Sequence, residues 1–208
     1  MDVIDLDEMF TDVKELFDTN LPSPELLEYY RMLSRREILW NQEIDESTID
    51  IPFYIMKWNR EDKGKPVEER TPIKIYINTD GGDLNTIMHV IDVIELSKTP
   101  VYTIACGKAF SSGGYLLMAG HKRFIFKNTC CLIHDGSSGF YGDIGKHLDV
   151  MEFTKKSELK VREFVLGKTK ISPEEYDQNY RRDWWLFSDE MISLGIADEI
   201  ITDLDTIL

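Results

Sequence analysis

Val101-Tyr102-Thr103-Ile104-Ala105-Cys106 runs into Gly107-Lys108-Ala109-Phe110-Ser111-Ser112-Gly113-Gly114, and that into Tyr115-Leu116-Leu117-Met118-Ala119. The first run is apolar and partly β-branched, which predicts a strand. The last predicts a helix, with Gly107–Gly114 as the loop between them. Small residues around a serine permit a sharp turn that exposes a hydroxyl. The same turn aims backbone N–H groups and a helix N-terminus at one spot. That arrangement suits a nucleophile whose product is an oxyanion. Small residues also occur where a helix packs close to a strand, so the segment alone leaves both readings open.

The flanking chain repeats the rhythm. Ile73-Lys74-Ile75-Tyr76-Ile77-Asn78 alternates and predicts a strand. Asp80-Gly81-Gly82-Asp83 is a turn, and Leu84, Ile87, Met88, Ile91 and Ile94 mark an amphipathic helix. Strands at Arg123–Phe126 and Thr129–His134 follow. Upstream, Leu21–Leu33 reads as helical and Glu37–Ile44 as a short strand. Ser47 reads as the cap of a helix running toward Trp58, and Asn59–Pro72 as a loop. Downstream, Gly136–Gly142 is rich in Gly and Ser, and Asp143–Gly167 predicts a long helix. Ser172-Pro173-Glu174-Glu175 opens another helix. Ser188-Asp189-Glu190 opens a short one that stops at Gly195, and Ala197–Ile201 closes as a strand. Strand–turn–helix alternation of this kind predicts an α/β fold with a largely parallel sheet.

The 208 residues carry 24 Lys and Arg against 38 Asp and Glu, a net charge of −14. Such a chain repels phosphate, which disfavours nucleic-acid binding. No stretch approaches the roughly 18 apolar residues of a membrane span, and the acidic start lacks the build of a signal peptide. Cys106, Cys130 and Cys131 sit in apolar strand-like runs and form no disulfide framework. Adjacent Cys130 and Cys131 point to opposite faces of a strand, which argues against a shared metal. A reducing cytosol, hence a cytoplasmic protein, is the simplest compartment. No metal or cofactor is expected. Residues 1–50 hold 14 acids and 4 bases. Within residues 1–24, Leu6, Met9, Phe10, Val13, Leu16 and Phe17 fit one helix face, so this acidic segment reads as a packed arm or a gate.

A serine nucleophile needs a base. Of the four histidines, His89 lies in a helical pattern, His121 in a turn and His147 on the long helix. His134 ends a strand before a Gly-rich turn, where active sites of open parallel sheets gather. The orienting carboxylate cannot be chosen by spacing among 38 acids. Asp183 is a candidate because Trp184, Trp185 and Phe187 follow it and imply burial, where a histidine N–H would serve as its partner.

Gly107–Gly120, Ile75-Tyr76-Ile77-Asn78-Thr79-Asp80-Gly81-Gly82, Leu132-Ile133-His134 and Arg182-Asp183 together resemble the Clp protease proteolytic subunit family, in its order and at fitting separations. The similarity covers roughly Glu25 to Ile201. It implies a Clp protease/crotonase-like superhelix of β-β-α units with a protruding handle helix. The acidic segment is then 1–24 and the catalytic domain 25–208, with 136–170 as the handle region. It further implies a serine endopeptidase acting on peptides and unfolded proteins. Ser111 would be the nucleophile, His134 the base and Asp183 its orienter. The backbone N–H groups of Gly82 and Ser112 would form the oxyanion hole. Substrate would bind as an added strand at Gly81, Asp83, Ser138, Gly139 and Phe140. The implied partners are copies of itself, as a homo-heptamer or homotetradecamer, and an AAA+ unfoldase ATPase.

Four features depart from the family pattern. Residues 1–24 do not match it, Lys74 stands where a docking aromatic is usual, Arg181 replaces an acid, and Ser112 replaces a bulky apolar residue. Three other readings stand beside the peptidase: a crotonase-fold acyl-CoA enzyme, an anchored Ser–Lys signal-peptide peptidase, and a catalytically silent ring subunit. The first does not need Ser111, His134 and Asp183 together, the second needs an anchor, and the third would show a broken triad.

Overall fold

The computed structural model describes residues 23–137, 139 and 141–208. The reading of residues 1–22 as a helical arm lies outside them. The chain divides into two compact units, residues 1–35 and 36–208. In the first, helix α1 (Pro24–Ser34) starts three residues later than the apolar pattern suggests. Ser23 caps it, its hydroxyl accepting from the Leu26 N–H, and Pro24 takes the first helical position.

The second unit is built on a mostly parallel sheet. Its elements, in order, are β1 (Glu37–Trp40), α2 (Asp50–Glu61), β2 (Ile73–Thr79), α3 (Leu84–Leu96), β3 (Val101–Phe110), α4 (Ser112–Ala119), β4 (Lys122–Ile125), β5 (Cys130–Ile133), α5 (Ile144–Lys168), α6 (Pro173–Asn179), β6 (Trp184–Phe187), α7 (Ser188–Ser193) and β7 (Glu199–Ile200). The main path is β1-β2-β3-β4-β7, all parallel. β3 is long enough to serve two partners. Tyr102–Ala105 pairs with β4, and Lys108–Phe110 pairs with β5. β6 then adds to β5 antiparallel.

The switch of partner has a visible cause. The β2–β3 register slips between Ile77 and Thr79, opposite Gly107 at φ +145°. A bulge there bends β3 and re-aims its last turnward residues. So the expected loop over 107–114 does not exist: the strand continues through the bulge to Phe110, and α4 begins at Ser112. Elsewhere β1 ends at Trp40, and Ile44 makes only an isolated bridge with Gly82. Asp45 rather than Ser47 supplies the cap near α2. Its carboxylate accepts from the Ser47 N–H over a single 3-10 turn, Glu46–Thr48, before α2 begins. α2 runs three residues into the expected loop 59–72, which also holds a 3-10 turn at Val67–Glu69.

Packing follows the sequence periods. In β2, Ile73, Ile75, Ile77 and Thr79 are buried while Lys74, Tyr76 and Asn78 alternate outward. Ile87, Val90, Ile91 and Ile94 are buried among the apolar residues of α3. Each such side chain contributes about 1.5–3 kcal/mol by leaving water. α4 is buried on every side. A second cluster joins Ile104, Phe124, Ile201 and Ile207, with Tyr76, Tyr102 and Phe126 against it. Lys74 reaches Glu37 at 3.7 Å and the Leu208 carbonyl at 3.3 Å. Cys131 is buried and Cys130 half-buried, as opposite faces of β5 require.

α5 is different. Of its 25 residues only Val161 and Val165 are buried. Ile144, Leu148 and Met151, in its first two turns, are exposed. A helix of this length spans about 37 Å.

One buried ion network ties three element ends together. Asp62, at the C-cap of α2, is fully buried. It accepts from both terminal nitrogens of Arg36, from Lys65 Nζ at 2.9 Å and from Thr99 Oγ1 at 3.0 Å. The Arg36 hydrogen bonds, above all, hold the Asp62 carboxyl well below the usual carboxylate range, against the opposing effect of burial; Lys65 and Thr99 add to this. A carboxyl depressed on folding stabilises the native state above its unfolded value, and that stability is lost as pH falls below it. Asp62→Asn should therefore lower stability by about 3–5 kcal/mol at neutral pH, read as a urea midpoint at fixed protein concentration. The gap to wild type should narrow in acid. A gap that is small, or independent of pH, would contradict this assignment.

Candidate active site

The turn between β3 and α4 carries Ser111, at φ +53° and ψ −124°. Few non-glycine residues adopt such a conformation, which carries a cost of order 1–3 kcal/mol and is held only where the surroundings enforce it. The enforcement is visible. The Ser111 N–H donates to the Leu132 carbonyl at 2.8 Å, and its carbonyl accepts from the Gly114 N–H at 2.9 Å. Its hydroxyl makes no hydrogen bond among the described residues. The small residues serve two structural ends, at different positions. Ser111 takes the sharp turn. Gly113 and Gly114 allow close packing, since a Cβ would lie 2.5 Å from Thr79 Cγ2 and 3.0 Å from Cys131 Sγ respectively.

Ser111 and His134 line the same cavity, of about 930 Å³. His134 follows β5, which pairs with the end of β3, so the sheet carries both residues to one edge. His134 Nδ1 lies 3.7 Å from Asp183 Oδ1. That is a close approach, longer than a hydrogen bond. Asp183 is not buried as the following aromatics suggest: its side chain is 65% exposed. It precedes β6, a four-residue edge strand that turns Leu186 inward and Trp185 and Phe187 outward. The aromatics therefore signal the exposed face of an edge strand.

Gly82 and Ser112 also line the cavity. Neither backbone N–H is hydrogen-bonded among the described residues, so two donors stand free beside Ser111. The Ser112 side chain, only 2% exposed, donates to the Gly82 carbonyl at 2.8 Å. The Ser112 hydroxyl is thus engaged with the backbone, whereas that of Ser111 is not. Gly81 touches the Ser111 turn: a Cβ there would lie 2.6 Å from the Phe110 carbonyl and 2.8 Å from Ser111 Cβ. Asp83 lines the cavity and caps α3, accepting from Thr86 N and Oγ1. Gly139 is exposed, and Ser138 and Phe140 lie outside the described residues.

Two supporting side chains escaped the sequence reading. Tyr115, a buried residue of α4, donates to the His134 carbonyl over a long 3.4 Å. Burial pushes its phenol far above the ordinary range, so it stays a neutral donor. Thr79 Oγ1 accepts from the Gly81 N–H at 3.1 Å and donates to the Gln42 carbonyl at 2.6 Å. A threonine at the end of a strand and a mid-helix tyrosine give no local signal of such roles. Glu43, Asp80, Asp83, Asp135 and Glu158 make the cavity wall anionic, with Asp80 paired to Lys108. Arg181 stacks on Tyr180 and donates to its hydroxyl, the main cause of its raised pKa; the field of Glu158 and Asp135 adds to it.

Comparison with known proteins agrees with this architecture. The Clp protease family model matches residues 25–203. The chain is 34% identical over 135 residues to the ATP-dependent Clp protease proteolytic subunit 2 of Treponema pallidum, covering 62% of this chain and 66% of that protein. It is 32% identical over 146 residues to the ATP-dependent Clp protease proteolytic subunit of Deinococcus radiodurans, covering 67% and 68%. The chain thus spans about two-thirds of the length of these relatives. The mostly parallel sheet with its bent β3 and the long, sparsely buried α5 is the Clp protease family fold, and the chain belongs to the Clp protease family.

Proposed function

We propose that this chain is the serine endopeptidase subunit of a self-compartmentalised cytoplasmic barrel, hydrolysing peptides and unfolded proteins. The observation that carries the reading is Ser111: strained, with a free hydroxyl, in one cavity with His134 and two free backbone N–H groups. Ser111 Oγ attacks the scissile carbonyl while His134 takes its proton. With Nδ1 turned toward Asp183, Nε2 is the nitrogen left for this work. The Gly82 and Ser112 N–H groups receive the oxyanion. His134 then protonates the leaving amine, and water hydrolyses the acyl-enzyme by the same route. Substrate lies as an extended strand beside the Gly81–Asp83 turn and the Gly136–Gly142 segment. Catalytic hydrogen bonds are often long before substrate closes the site, which accommodates the 3.7 Å His134–Asp183 spacing.

The exposed apolar residues of α5 need a neighbour to cover them. We assign that role to a second ring, with seven copies in each ring and an unfoldase ATPase supplying substrate. A second reading draws on the exposure of Asp183: a silent ring subunit whose triad never closes. The experiment is hydrolysis of a short reporter peptide without ATP, with native mass read by light scattering. The proposal predicts turnover by a species many times 24.2 kDa. Assembly without turnover favours the silent subunit, and turnover by a monomer refutes the barrel.

A further inference from the structure

We propose that the Ser112 hydroxyl is a positioning residue that locks the two halves of the oxyanion hole to one another. The inference rests on the peptidase reading above and concerns the side chain, apart from the residue's own N–H.

The Gly81–Asp83 turn is held on one flank by Ile44. The Ile44 N–H donates to the Gly81 carbonyl at 2.8 Å, and the Ile44 carbonyl accepts from the Asp83 N–H at 2.7 Å. In a trans peptide the N–H and C=O point in opposite directions. The Gly81 carbonyl faces Ile44, so the Gly82 N–H of the same peptide faces away from it. The Asp83 N–H also faces Ile44, so the Gly82 carbonyl faces away too. Both polar groups of Gly82 are thereby presented on the flank of the Ser111 turn. Gly82 cannot shift toward Ile44, since even a Cβ there would come within 2.1 Å of the Ile44 carbonyl.

The Ser112 hydroxyl takes the Gly82 carbonyl on that open flank, at 2.8 Å and almost out of water. One residue thus offers its N–H to the oxyanion and, through its side chain, fixes the peptide plane next to the other N–H donor. An apolar residue after the nucleophile could not do this; it would leave the carbonyl without its partner and the turn held from one side. Oxyanion stabilisation depends on donors already in place when charge develops. Ser112→Ala keeps both N–H groups but frees one relative to the other. The loss should therefore fall on the transition state and leave ground-state binding alone.

The test uses the assembled protein, its mass checked for each variant. Three quantities are measured: reporter hydrolysis, inhibition by a peptide aldehyde, and binding of a product tripeptide. Ser111 Oγ adds to the aldehyde carbon, its proton passes to His134, and the carbonyl oxygen becomes the oxyanion. Ser112→Ala should lower kcat by about 10–100-fold, less than outright removal of a donor, which costs roughly 10²–10³. KM should stay within about threefold, aldehyde affinity should fall in proportion to kcat/KM, and product binding should hold. Ser112→Thr, which keeps the hydroxyl, should recover most of the rate. The proposal is overturned if kcat is unchanged in Ser112→Ala, if aldehyde affinity does not follow, or if product binding falls equally. Fluorophosphonate labelling of the wild type separates the two claims. With Ser111 labelled and Ser112→Ala indistinguishable from wild type, only this linkage fails; with Ser111 unlabelled, the peptidase reading fails and takes the linkage with it.

Discussion

Ser111→Ala should reduce peptide hydrolysis by about 10⁴–10⁶-fold, the range seen when a serine nucleophile is removed, while the native mass stays that of the wild type. The size follows from the chemistry, because alanine has no oxygen to carry the acyl group. The selectivity follows from the structure. The Ser111 hydroxyl holds no neighbour among the described residues, and the turn is fixed by its backbone bonds to Leu132 and Gly114. Alanine inherits the same strained backbone, so neither fold nor native mass should change. Activity is measured on a short peptide, so that substrate unfolding does not enter. Retained hydrolysis, or a comparable loss confined to Ser112→Ala, would contradict the assignment.

The second large effect separates His134 from Asp183. His134→Ala should lose about as much as Ser111→Ala, because without a base the hydroxyl is a poor nucleophile. The double variant should be little worse than either single one, since residues acting as a unit are non-additive. Asp183→Asn should retain at least about tenfold more activity than His134→Ala, in line with the smaller cost of losing the triad carboxylate. The geometry sharpens this expectation: Asp183 is 65% exposed and 3.7 Å from Nδ1, so water weakens what it contributes. Equal losses for both would mean that the pair closes tightly once substrate binds. Full activity in His134→Ala would remove His134 from the mechanism.

Much of this was legible because local and tertiary demands agree. The alternation of Ile73, Ile75 and Ile77 set the face of β2, and the α3 apolar positions matched it. What sequence periods missed arose where two elements meet. The Gly107 bulge lengthens β3 and re-pairs it with β5, and no pattern within residues 101–110 declares that. The burial inferred for Asp183 failed because aromatics on a short edge strand can face outward as readily as inward. The Ser112–Gly82 bond joins positions 30 residues apart, and its donor follows the nucleophile, where sequence reasoning sees only a second serine. The cavity's carboxylates come from four separate stretches of chain, so their convergence on one wall has no linear signature.

The central claim is that Ser111 is the activated nucleophile. Its most direct test is treatment of the assembled wild-type protein with a fluorophosphonate, followed by mass mapping of the modified peptide. In that reaction Ser111 Oγ bonds to phosphorus and fluoride leaves, a step that requires a serine activated by its neighbours. The expected result is one modification per chain on Ser111, absent from Ser111→Ala and strongly slowed in His134→Ala. Modification at Ser112 or elsewhere, or no modification of an assembled protein, would contradict the account.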